Sequence, residues 1–214
     1  RTAPAAARAA STASTRPRLR RSTLTDAPTS GFLRPLLDVR LPEKTGLTFD
    51  EEMKGVYFQG FTPPTGADGD RQIEAKSPVE GTACELNLRI SARDFNEFIE
   101  GWDHEARVDG DIRFANFNGQ GQMICTINGT KSFFNYLRVN PETQEAEMLY
   151  RIYFFAGAGQ EYCLHGRKFL QKDNDGGRSG IPEIVHDFTT LYCRLTDVKA
   201  GREVGSALMK FRTF

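Results

Sequence analysis

The chain holds no uninterrupted apolar run near the roughly 18 residues that a membrane-spanning helix requires. Its longest apolar stretch, residues 148–158, is broken by Arg151 and fits a buried strand. No C-x-x-C pair occurs among the four cysteines, Cys84, Cys125, Cys163 and Cys193, so zinc-ribbon and thioredoxin-like spacings fail. Each lies in an apolar, strand-like run, where a thiol acts as a small hydrophobe; free core thiols are expected, with cross-strand disulfides the alternative. Histidine is scarce, with only His104, His165 and His186, far apart in sequence and read as surface residues. Net charge is absent too, at 28 bases against 28 acids. No G-x-G-x-x-G, Walker A or G-x-S-x-G motif occurs, which removes the usual dinucleotide, nucleotide and hydrolase signatures.

The zero net charge conceals two opposite halves. Residues 1–44 carry nine bases and three acids, +6, leaving nineteen bases and twenty-five acids, −6, in residues 45–214. An acidic body is a poor partner for nucleic acid, whose phosphates select basic patches. Residues 1–46 read as an extended, Pro-containing arm, rich in Arg, Ser and Ala, with no acid before Asp26. Such a composition resembles organelle transit sequence, mitochondrial or alternatively plastid. It has too little apolar surface to fold alone. Arg16, Arg18, Arg20 and Arg21 are the candidate partner-binding residues, suited to acidic side chains or anionic head groups. The chain does not start with Met, and is read as processed or as a fragment.

Residues 47–214 are dominated by the two-residue period of half-buried strands. Leu86, Leu88 and Ile90 alternate with polar neighbours; so do Val108, Ile112 and Phe114, and later Leu191, Cys193 and Leu195. Residues 147–155 are nearly continuous in apolar side chains and predict a central strand. Asn128-Gly129 predicts a hairpin turn between residues 123–127 and 131–137. A helix is predicted after a capping box at Ser91–Asp94, with Phe95, Phe98 and Ile99 on one face and Gly101 as the stop. The fold class is therefore mainly β: an antiparallel barrel or sandwich of about nine strands, with one short helix. Pro and Gly cluster at 62–69 and 173–182, predicting two long loops.

No catalytic, cofactor-binding or metal-ligating residue stands out. The acidic run 173–177 lacks the closing Glu of a calcium loop, since Ile184 stands at its twelfth position. Aromatics crowd the central strands, and in a barrel Phe133, Tyr150 and Phe154 are candidates for an interior that faces an acyl chain or sterol.

Four segments occur in a particular order: TFDEEMKG at 48–55, MLYRIYF at 148–154, LHGRK at 164–168 and DFTTLYCRL at 187–195. Together with KFRTF at 210–214 they resemble a β-rich accessory segment of bacterial cholesterol-oxidase-like proteins of the glucose-methanol-choline oxidoreductase family. The likeness spans about residues 47–214. The family's flavin-binding glycine loop and catalytic histidine lie outside that segment, so no catalytic residue carries over. The resemblance implies an accessory module beside lipid- or sterol-handling enzymes.

Three functions follow as expectations. The first is a non-catalytic accessory subunit of a large organellar assembly, peripheral to any membrane, its arm threading between neighbouring proteins. The second is a lipid- or sterol-binding β-barrel. The third is a detached accessory segment of a flavin-dependent oxidoreductase.

Overall fold

Barrel or sandwich is decided by whether the first strands of the sheet meet the last. A computed structural model describes residues 42, 44–140, 146–169 and 189–211, and these described residues belong to one compact unit. The strands are β1 (Leu47–Gln59), β2 (Thr82–Ala92), β3 (Glu105–Phe114), β4 (Met123–Thr126), β5 (Phe133–Val139), β6 (Ala146–Ala156), β7 (Gln160–Phe169), β8 (Thr190–Asp197) and β9 (Arg202–Phe211). Their order is β2-β1-β9-β8-β7-β6-β5-β3-β4, and a further β2–β3 pairing joins the two sides. The sheet is a closed antiparallel barrel, eight strand positions round with one extra strand. A sandwich is excluded.

The expected hairpin at Asn128-Gly129 is absent. β4 and β5 both pair with β3, through Phe114↔Met123 and through Arg107↔Phe133, and they occupy successive stretches of one barrel position. Asn128 makes a local turn instead: its Oδ1 accepts from Thr130 N and Oγ1, and its carbonyl from Lys131 N and Ser132 N. The turn chemistry was legible, but the pairing partner is set by a third strand.

Among the described residues two α-helices lie outside the strands. The short helix α2 (Phe95–Glu100) is where sequence placed it, but Asp94 is its N-cap rather than Ser91: Asp94 Oδ1 accepts from Asn96 N and Glu97 N. Helix α1 (Ala67–Glu74), which was not expected, begins within the loop expected at 62–69 and runs beyond it. Asp68 and Asp70 in its first turn suit the positive end of the helix dipole, and Ile73 alone supplies a large buried apolar side chain. One apolar anchor leaves almost no periodic signal.

The alternation puts Met53, Tyr57, Leu86, Leu88, Ile90, Val108, Ile112, Phe154, Leu164, Leu195 and Met209 inside, each 3% exposed or less. Gly205 makes room for Tyr57, since a Cβ there would stand 2.6 Å from the Tyr57 ring. Gly110 (φ 131) bends β3 so closely over β2 that a Cβ would meet Asn87 O at 2.0 Å. Free cysteines are as expected: Cys84, Cys125 and Cys193 are buried and Cys163 is partly so.

Candidate binding site at one mouth of the barrel

The two ends of the barrel differ. At the end formed by the β6–β7 and β8–β9 turns, Phe117 reaches inward from the loop after β3. Its ring lies 4.6 Å from Phe114, 5.2 Å from Tyr162, 5.8 Å from Tyr57 and 6.5 Å from Phe154. Phe114, Phe117, Phe154 and Tyr57 are at most 1% exposed. Stacked and edge-on rings fill this half with side chains. A polar cleft outside them is lined by Gln59, Gln160, Asp197, Arg202 and others. Within it Gln160 donates to Asp197, which also accepts from Ala200 N.

The opposite end carries polar groups. β1 begins there, as do β6 and β8, while β2, β7 and β9 end there. Glu51 of β1 and Tyr150 of β6 belong to strands that are not neighbours and meet across the interior. The Tyr150 hydroxyl donates to Glu51 Oε2 at 3.0 Å and accepts from Lys168 Nζ at 3.2 Å. Lys168 is 3% exposed, and its ammonium sits 3.4 Å from the centre of the Phe211 ring and 5.1 Å from that of Tyr150. Phe134 packs on Tyr150 at 4.7 Å, and Phe49 meets Phe134 edge-on at 6.3 Å.

Burial sets the electrostatics of this cluster. It pulls the Lys168 ammonium down to about 8, although the Glu51 carboxylate pulls the other way. Burial likewise pushes the Glu51 carboxyl up, opposed by Lys168 and by the Tyr150 hydrogen bond. The Tyr150 phenol is pushed well up by burial and then by Glu51. One ammonium, one carboxylate and one hydroxyl make a set that is neutral overall, with both donors and acceptors.

Of the residues expected to face the interior, Tyr150 and Phe154 do so. Phe133 does not. It lies opposite Arg151 on the outer face, with that guanidinium 5.6 Å from its ring centre, and Phe134 takes the inner position. In a run of two phenylalanines the parity is fixed only by register with β6. Phe154 lies in the filled half, so the polar end is marked by Tyr150 alone. Glu51 was missed because Asp50 and Glu52 flank it, and Lys168 because Arg167 precedes it; the only sequence signal was their occupancy of inward-parity positions. Arg16, Arg18, Arg20 and Arg21, the arm as a whole, His186 and residues 173–177 lie outside the described residues.

Two histidine expectations need correction. His104 is 2% exposed, and its Nδ1 lies 2.8 Å from Phe98 O, closing α2 onto β3 rather than facing solvent. His165 is largely buried on the outer wall. Among the described residues no group of three His, Cys, Asp or Glu is placed to hold a metal. No described helix is long and apolar enough to cross a membrane. No family model, curated protein or solved structure matches this chain.

Proposed function

We propose that the barrel is a binding module, without catalysis of its own, for an apolar molecule carrying one uncharged hydroxyl or carbonyl group. The observation that carries this reading is the buried Glu51–Tyr150–Lys168 cluster at the aromatic mouth. Buried charges cost several kcal/mol each, in order of magnitude, and an apolar set of similar volume is often as stable or more so. Their neutrality disfavours an anionic or cationic head, while their mixture of donors and acceptors suits a hydroxyl or carbonyl. Phe49 and Phe211, both partly exposed, offer the apolar part of the ligand a surface, with the buried Phe134 beneath Phe49. The ring cluster around Phe117 limits the depth of entry, so the ligand's body stays at the mouth. A sterol or a long-chain alcohol meets this description. The resemblance of residues 47–214 to the accessory segment of cholesterol-oxidase-like proteins supports the same class.

The test is binding of a fluorescent sterol and of a long-chain alcohol to the wild type, to K168M and to E51Q. Saturable binding that weakens in both variants, with the fold intact, is the expected result. No saturable binding of either probe, or equal binding by all three proteins, overturns the reading. A second reading, an accessory subunit of a mitochondrial or plastid assembly, is supported by the basic composition of residues 1–46 and by Trp102, 76% exposed with Arg138 stacked 5.5 Å away. Cross-linking in organelle extract tests it, and a chain that stays uncross-linked and monomeric there refutes it.

A further inference from the structure

The outer wall of β6–β9 carries one cross-strand row of polar residues. Register sets Arg151 beside His165, His165 beside Arg194, and Arg194 beside Ser206. The next row along these strands, Ile152, Leu164, Leu195 and Gly205, has the opposite parity and faces the interior. Three members of the polar row hold a buried atom with no hydrogen-bond partner: His165 Nε2, Arg194 Nε and Ser206 Oγ. Orphans of this kind are uncommon in folded proteins and cost about 1–3 kcal/mol each. Three in adjacent strands point to a common missing partner.

The surrounding charges fix its sign. Arg194, 3% exposed, donates through Nη1 to Asp70 Oδ1 at 3.0 Å and through Nη2 to Pro64 O at 2.6 Å, beneath α1. Asp70 also takes Arg167 Nη2 at 3.5 Å. Arg151 stands exposed at the open end of the row. Asp70 is thus the carboxylate in contact with this group, and it is already shared between two guanidinium groups. Burial holds His165 down at about 4, and the nearby Arg151, Arg167 and Arg194 push it the same way.

We propose that this row binds a small oxyanion, a phosphate or carboxylate group, which enters from the Arg151 side. Arg151 supplies charge at the entrance, His165 Nε2–H and Arg194 Nε–H donate to the anion's oxygens, and the Ser206 hydroxyl closes the far end. Neighbouring strands stand about 4.8 Å apart, so one tetrahedral or planar oxyanion bridges His165 and Arg194. The site is separate from the barrel mouth and does not depend on what binds there.

The experiment is an NMR titration of the His165 ring in the full chain, against inorganic phosphate and in parallel against acetate. Chloride at matched ionic strength is the control. An anion that prefers the imidazolium tenfold raises the His165 pKa by about one unit. A shift in phosphate alone assigns the phosphate class; an equal shift in acetate assigns carboxylates. R151Q is expected to shrink the shift, while the His104 signals report that the fold persists. A His165 pKa unmoved by saturating phosphate and acetate overturns the proposal, and so does a shift that R151Q leaves unchanged. The wild-type titration decides the matter even where the variant fails to fold.

Discussion

Replacing Lys168 by methionine is expected to stabilise the protein at neutral pH. The substitution keeps the length and most methylenes of the side chain while deleting a charge that is 3% exposed inside the barrel. Holding that ammonium charged has moved its pKa from 10.5 to about 8, which corresponds to roughly 3 kcal/mol of disfavoured charge. Against this stands the lost hydrogen bond to Tyr150, about 1 kcal/mol, and the ring contacts with Phe211 and Tyr150, about 0.5–1 kcal/mol. Glu51 keeps its hydrogen bond from Tyr150, which goes on opposing the upward push of burial on its carboxyl. The balance is a gain of about 1 kcal/mol for K168M, measured by urea unfolding at pH 7.

The pH dependence gives this prediction its sign. Between pH 8 and 10.5 the unfolded lysine holds a proton that the folded one has lost, so the wild type gains stability relative to K168M as pH rises. Below pH 8 both states are protonated and the deficit is constant. Buried groups with raised pKa values, such as Tyr57 and Cys84, act in the opposite direction, but they are common to both proteins and cancel in the difference. The advantage of K168M should therefore vanish above pH 8 and reverse before pH 10.5, because the roughly 3 kcal/mol regained by the wild type exceeds it. A loss of more than about 1 kcal/mol at pH 7, or a gap independent of pH, would refute this account and make the cluster a stabilising ion pair.

Three further outcomes are expected. Asp70→Asn strands the buried Arg194 guanidinium and should cost about 3–5 kcal/mol, read from the urea midpoint, whereas breaking the exposed Arg89–Asp50 pair should leave that midpoint nearly unchanged. Phe117→Ala removes the centre of the ring cluster and should cost about 3–5 kcal/mol; near-UV circular dichroism should weaken as the tyrosine packing loosens. His165, at about 4 folded and 6.5 unfolded, leaves stability complete above pH 6.5 and erodes it between pH 6.5 and 4, by about 2 kcal/mol given its partial exposure; His165→Gln should flatten that limb in acid-unfolding curves.

The strands were legible because burial on one face imposes a period of two, and Leu86, Leu88, Ile90, Leu191, Cys193 and Leu195 all take the side that alternation assigns. Closure was not legible, since nothing local to β2 or β3 reveals that they pair. The same limit explains the missing hairpin: Asn128 turns the chain as its chemistry requires, but β3 takes both flanking strands. Helix α1 escaped because it is held by the ion pair of Asp70 with Arg194, a contact 124 residues apart in sequence. The binding site lay deeper still. Tyr150 and Lys168 sit on the paired strands β6 and β7, but Glu51 of β1 is set opposite them only by the curvature of the barrel, so its place in the cluster belongs to the tertiary fold alone.

The ring cluster around Phe117 has a practical corollary for handling the molecule. It insulates the turns at Ala156–Gln160 and Asp197–Arg202 from events at the far opening. Gly157, Gly159 and Gly201 adopt left-handed conformations in these connections, and nothing stands within 4 Å of where a side chain at Gly159 or Gly201 would project. Those glycines are best kept, and a fluorophore or affinity handle on the exposed Lys199 of the second turn would report on the folded protein from the end remote from Lys168.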